Sequence, residues 1–189
     1  VEYRDLLPAM ITAWREQWGQ GDFPFLIVQL ANYMAPATQP AGPNSDWALL
    51  REAQAMAVER VPNAGLAVAI DIGEAEDIHP KNKQDVGRRL ALAAEKIAYG
   101  REVVHSGPTY KAMAVEGSAA VLAFENTGGG LTAKGDTLEG FAVRGEDGVW
   151  HAGEATIGAD GRHVMVSSPA VEHPKAVRYA WANNPRATL

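Results

Sequence analysis

The chain has 189 residues, of which 47% are hydrophobic, enough to bury roughly 70% of its unfolded surface in one large or two small domains. A net charge of −6 leaves no basic footprint for nucleic acid, and no apolar run approaches the roughly 18 residues of a membrane span. With no cysteine, disulfide frameworks, zinc-thiolate sites and thiol nucleophiles are excluded.

The first hundred residues alternate helix and strand, an α/β grammar. Leu6, Leu7, Met10, Ile11, Trp14 and Trp18 recur at three-to-four spacing, which predicts a helix to about Gly19 with Pro8 in its first turn. Phe23 to Leu30 is a short continuous apolar run, the pattern of a strand buried on both faces. Residues 35–45, rich in Pro, Gly, Ala and Asn, read as a loop. Ser45 then offers an N-cap to a helix running to about Glu59, with Leu49, Leu50, Ala53, Met56 and Ala57 inward. Gly65 to Ile72 is the second expected strand. His79 at an N-cap with Pro80 at N1 would open a third helix, whose Val86, Leu90, Ala93, Ala94, Ile97 and Ala98 form one face, and Gly100 would end it.

From about Arg101 the pattern changes. Val121–Phe124, Leu138–Val143, Val149–His151, Ala155–Ile157 and His163–Val166 are short strand-like runs separated by Gly-Gly-Gly, Gly-Asp, Glu-Asp-Gly and Asp-Gly-Arg turn signals. This predicts a small antiparallel sandwich-like module, with Val171 to Trp181 returning to the body of the protein. The expected organisation is an α/β part over 1–100 and a β-rich module over 101–189.

One stretch carries candidate chemistry. Between the second expected strand and the third helix lie Asp71, Glu74, Glu76, Asp77 and His79, at the carboxyl end of a buried strand, where open α/β sheets collect their sites. An imidazole exchanges protons near neutrality, and a carboxylate on its other nitrogen fixes the tautomer and stabilises the imidazolium. Asp77, two residues from His79 in an extended stretch, projects on the same side and is favoured over Glu76 as that carboxylate. Asp71 reads as a loop anchor.

The other polar residues read as structural. Ser45, Ser106, Ser118, Ser167 and Ser168 lie in no Gly-x-Ser-x-Gly or Gly-Asp-Ser context. His105, His151, His163 and His173 lack metal-ligand spacing. Gly128-Gly129-Gly130 reads as a turn, since no strand precedes it and no helix follows. Arg51 and Gln54 lie one turn apart, on either a polar cleft or a solvated face. Core packing is the expected role of Trp47 and Trp181, with stacking on a sugar ring the alternative.

Several stretches act together: Leu6-Leu7-Pro8-Ala9-Met10-Ile11 with Trp14-Arg15, Gly21-Asp22-Phe23-Pro24-Phe25 with Val28-Gln29-Leu30, and Trp47 with Leu50-Arg51-Glu52-Ala53-Gln54. His79-Pro80-Lys81-Asn82-Lys83-Gln84 follows, then Ser106-Gly107-Pro108 and Arg178-Tyr179-Ala180-Trp181 with Asn184-Pro185. In this order they resemble the sialate O-acetylesterase family of SGNH-type carbohydrate esterases over nearly the whole chain, most specifically in the His79 run. The resemblance implies part of a three-layer α/β/α hydrolase domain followed by the β-rich module. It implies hydrolysis of O-acetyl esters on sialic acid or a related sugar by a serine-type mechanism without cofactor, in a secreted or periplasmic setting. His79 and Asp77 would be the base and its orienting acid. The wider SGNH pattern, with an acid three residues before the histidine, points to Glu76 instead. The family's Gly-Asp-Ser-like nucleophile block and oxyanion residues lie upstream of anything matched here, so the chain would be the carboxyl-side part of an esterase, needing an amino-side portion as partner besides its acetylated sugar or sialoglycan. A non-catalytic carbohydrate-binding or assembly subunit, carried by the β-rich module, is the alternative.

Overall fold

A computed structural model describes residues 2–189. They form two compact units that are not contiguous in sequence: residues up to Met34 with Asp46–Ser106, and Ala35–Ser45 with Gly107–Leu189.

The first unit contains α1 (Tyr3–Trp18), β1 (Phe25–Val28), α2 (Asp46–Arg60), β2 (Ala64–Ala67) and α3 (Lys83–Ile97). β1 and β2 are parallel, with Phe25 opposite Ala64 and Val28 opposite Ala67. Alternate residues of β1 have different neighbours, as pleating requires. Ile27 joins Leu7 and Ile11 of α1, Ala57 of α2 and Val61 in one buried cluster. Leu26 lies beside Gly65, where a Cβ would come within 2.9 Å of Leu26 Cδ2 and 3.3 Å of Ile97 Cγ1; the missing side chain lets α3 close on the strand pair. α1 ends at Gly19, whose left-handed conformation and N–H to Arg15 O at 3.0 Å close the helix.

Two expectations for the helices fail. Pro8 lies inside α1, beyond its first turn, so it supplies no N–H to the Arg4 carbonyl; Arg60 Nη1 donates to that oxygen at 2.8 Å. The third helix does not start at His79. It starts at Lys83, capped by Asn82, whose side chain accepts from Asp85 N at 3.1 Å. Asn is the better cap, because its side-chain oxygen reaches the N3 amide. The freed segment leaves His79 in a loop. α3 ends at Ile97, with Gly100 at φ +64° just beyond.

The second unit contains β3 (Thr109–Glu116), β4 (Ala119–Glu125), β5 (Phe141–Arg144), β6 (Trp150–Ala152), β7 (Glu154–Ile157), β8 (His163–Ser167) and β9 (Ala176–Tyr179). They build two antiparallel sheets, ordered β3-β4-β8-β7 and β6-β5-β9. Leu122, Val164 and Val166 of the first sheet and Phe141 and Val143 of the second share one core. Residues 171–181 do not leave this unit, since β9 pairs with β5. Segment 35–45 is fastened by Ala37 N to Asn184 O (2.8 Å), Ser45 Oγ to Asn183 Oδ1 (2.6 Å) and Arg178, which donates to Gly42 O. The Arg178 guanidinium lies over the Trp150 ring, 4.5 Å from its centroid.

Candidate active site

The loops leaving the carboxyl ends of β1 and β2 are fixed against each other. Gln29 N continues the pairing to Ala67 O at 2.9 Å. Farther on, Gly73 N donates to Asn32 Oδ1 at 2.6 Å and Met34 N to Ala75 O at 3.0 Å. A Cβ on Gly73 would sit 2.1 Å from Asn32 O, so this approach requires glycine. Asp71 is held by both Arg89 terminal nitrogens, at 2.6 and 2.8 Å, while Arg89 also donates to Val68 O. Donating to the Asp71 carboxylate raises the Arg89 pKa. Asp71 is thus a bidentate anchor for the loop.

α2 supports the same loops from within. Gln54 Oε1 accepts from Leu30 N at 2.9 Å, Gln29 Nε2 donates to Arg51 O at 3.2 Å, and Trp47 Nε1 donates to Ala31 O at 2.7 Å. Trp47 also packs its ring on Tyr33. Arg51 and Gln54 are buried, so neither belongs to a solvated face, and burial pushes the Arg51 guanidinium down to about 10. Trp47 and Gln54 hold the backbone that follows β1.

On this base sits the 74–81 turn. Lys81 closes it through Nζ to Glu74 Oε2 at 2.8 Å, a contact that raises the lysine pKa. Asp77 Oδ1 accepts from His79 N at 2.8 Å and lies 3.2 Å from His79 Nδ1. The main-chain N–H of His79 is the largest cause holding the Asp77 carboxyl below its ordinary pKa. The His79 side chain is 82% exposed. Glu76 is exposed as well, and among the described residues nothing hydrogen-bonds its carboxylate. Asp77, and not Glu76, touches the imidazole. With Nδ1 on a carboxylate, Nε2 is the ring nitrogen left to exchange a proton with another group.

Local histidine–aspartate contact is not unique to this loop. His151 Nε2 lies 3.3 Å from Asp147 Oδ2, and His163 Nδ1 contacts Asp160. In all three turns the aspartate accepts a backbone N–H two residues on, from His79, Val149 and Arg162, which is Asx-turn geometry. Position distinguishes His79, which alone of the three follows the carboxyl end of a parallel strand. Among the described residues no serine hydrogen-bonds His79, and no group of three His, Cys, Asp or Glu side chains could hold a metal ion. No helix among them is long and apolar enough to cross a membrane.

The sequence reading missed Asn32, Gly73 and Arg89. Asp71 reads as a loop anchor, but its partner Arg89 lies 18 residues on, and the Gly73–Asn32 approach depends on two loops meeting; neither left a local signal.

No protein-family model matches the chain. Mouse sialate O-acetylesterase is 33% identical over 133 residues, 64% of this chain and 25% of the relative. The human sialate O-acetylesterase is 32% identical over 119 residues, 56% of this chain and 23% of the relative. The crystal structure of a carbohydrate acetylesterase from Xanthomonas citri superposes with TM-score 0.90 and 45% identity, covering the whole chain and 42% of that protein. The chain therefore spans about a quarter of the curated relatives it matches and less than half of the solved one.

Proposed function

The chain belongs to the sialate O-acetylesterase family, and from that premise we propose that it is the histidine-bearing part of a carbohydrate O-acetylesterase. One observation carries the assignment: an exposed imidazole with Nδ1 3.2 Å from a carboxylate, in the loop after a parallel strand. The β1–β2 pair, with Ile27 packed toward α1 and α2 and Leu26 beside α3, is read as a piece of the three-layer α/β/α sheet of SGNH-type hydrolases. The second unit is its β-rich accessory module.

In this mechanism the serine comes from the part of the esterase that these 189 residues do not span. Its Oγ attacks the acetyl carbonyl as His79 Nε2 takes the hydroxyl proton. The tetrahedral intermediate then breaks its bond to the sugar oxygen, which leaves with the proton from His79. A water molecule, deprotonated by His79, attacks the acetyl-enzyme; the second tetrahedral intermediate breaks its bond to the serine oxygen, which takes the proton back from His79, and acetate leaves. Asp77 holds the ring and stabilises each imidazolium. The substrate class is an O-acetylated sugar, sialic acid or a related one.

The test is kinetic, in the full-length enzyme or in this chain reassembled with its complementary portion. His79→Ala is expected to lower kcat by about 10³-fold with KM nearly unchanged, because a general base acts in the transition state. Asp77→Asn is expected to cost less than His79→Ala but more than Glu76→Gln. Near-normal activity of His79→Ala removes the mechanism; a larger loss for Glu76→Gln than for Asp77→Asn, with both folded, transfers the orienting role to Glu76.

A further inference from the structure

The run that carries the dyad is attached to the rest of the first unit only at its ends. On the amino side, Gly73 N donates to Asn32 Oδ1 and Ala75 O accepts from Met34 N; on the carboxyl side, Asn82 caps α3. Among the described residues, Glu76 to Pro80 make no hydrogen bond or ion pair outside their own run, and the bonds of Asp77 and His79 are to each other. The other two histidine–aspartate turns lie in hairpins, where the β5–β6 and β7–β8 ladders hold the ends together. The His79 turn has no ladder.

A side-chain clasp stands in its place. Glu74 Oε1 accepts from Lys81 N at 3.3 Å and Oε2 from Lys81 Nζ at 2.8 Å, so both oxygens of one carboxylate hold both nitrogens of one lysine across the neck of the loop. Glu74 lies between Gly73 and Ala75, the two residues bonded to the loop after β1, and its carboxylate therefore hangs from fixed backbone. The Lys81 charge also adds to the causes that keep the Asp77 carboxyl ionised. Side-chain exposures of 34% for Glu74 and 76% for Lys81 make this pair a minor contributor to global stability. Limiting where an exposed ring points is a different task, on which transition-state geometry depends steeply.

We propose that Glu74 and Lys81 are positioning residues for the His79–Asp77 dyad, closing the neck of its loop so that the imidazole keeps Nδ1 on Asp77. This rests on the hydrolytic reading above; neither residue is assigned contact with the substrate.

The test has two arms. In the 189-residue chain labelled with ¹⁵N-histidine, ring ¹H–¹⁵N correlations at alkaline pH report the tautomer, and the His79 signal is the one of five that His79→Gln deletes. The parent is expected in the Nδ1–H form, which a carboxylate on Nδ1 selects. Lys81→Met shifts it toward the Nε2–H form that a free imidazole favours, and Glu74→Ala, which removes both arms of the clasp, shifts it further. Lys81→Arg keeps the parent tautomer, and so does Lys83→Met, which removes a neighbouring charge that has no ion-pair partner among the described residues. In the assembled esterase, Lys81→Met and Glu74→Ala lower kcat by about 10-fold to 100-fold with KM unchanged, Lys81→Arg restores most of it, and thermal unfolding does not move. An Nε2–H parent, an unshifted tautomer in Glu74→Ala, an unchanged kcat, or equal losses in Lys83→Met each overturn the proposal. A rise in KM at constant kcat overturns it too, transferring the pair to substrate binding. The tautomer arm involves no ester, so near-normal activity of His79→Ala would strike the hydrolytic reading and leave that arm standing; a flat tautomer arm beside an inactive His79→Ala strikes the clasp alone.

Discussion

The largest single cause of the low Asp77 pKa is a main-chain donor, the His79 N–H, and the ring and Lys81 add to it. In His79→Ala the Asp77 carboxyl should therefore still titrate below an ordinary aspartate, with only part of the depression lost. Carbon-detected NMR titration measures this directly, and full return to the ordinary value would show that the imidazole dominates. The sign of the linkage follows. A depressed carboxyl pKa orders the turn above the unfolded value, and that ordering is lost as pH falls through the folded value. The protection of the His79 amide, relative to its intrinsic exchange at each pH, should fall over that acidic interval and stay constant at neutral pH. The dyad itself was legible because Asp77 and His79 are neighbours in sequence. Arg89 and Asn32, which fix the loop beneath it, were not, because their partners lie 18 and 41 residues away.

At the scale of elements, apolar periodicity located α1, α2 and α3, and capping chemistry misplaced only the start of α3. Asn82 and His79 both precede plausible first turns, and the better side-chain acceptor won. β3 escaped notice because nearly all of its residues are exposed, and a strand without a buried face shows no alternation to read. Pro8 is the instructive exception in α1. A proline inside a helix costs about 3 kcal/mol relative to alanine, and here Arg60 supplies the donor that the ring removes. Pro8→Ala is expected to raise stability by about 1 to 3 kcal/mol. Arg60→Ala should cost about 1 kcal/mol in the parent chain and less in the Pro8→Ala background, where the helix meets its own carbonyl. A double-mutant cycle by denaturant unfolding reads the coupling, and strict additivity would show that Arg60 does not serve that carbonyl.

For the whole molecule, the first unit presents apolar surface that its own residues do not cover. Leu6, Trp14 and Trp18 recur every four or eight positions along α1 and are 59%, 51% and 64% exposed. Trp14 leans on Phe25 and Trp18 stacks on Phe23, so the stripe continues to β1. Among the described residues β1 pairs only with β2, and a two-stranded parallel sheet rarely stands alone. The isolated chain is expected to associate with itself at micromolar concentration or to bind the complementary portion proposed above. Sedimentation should show Trp14→Glu with Trp18→Glu shifting it to monomer, whereas a monodisperse parent chain with no affinity for that part refutes the assembly idea.

Residues 35–45 form part of the second unit, and this has a consequence during synthesis. Ser45 waits for Asn183, a partner 138 residues later, and Gly42 waits for Arg178 across 136. At about 5 to 20 residues per second, the ribosome leaves that segment without its clasp for roughly 7 to 28 seconds. Meanwhile α1, β1, α2, β2 and α3 have all emerged. The strip is then a tether with no home, open to proteases and chaperones until the last strand, β9, arrives.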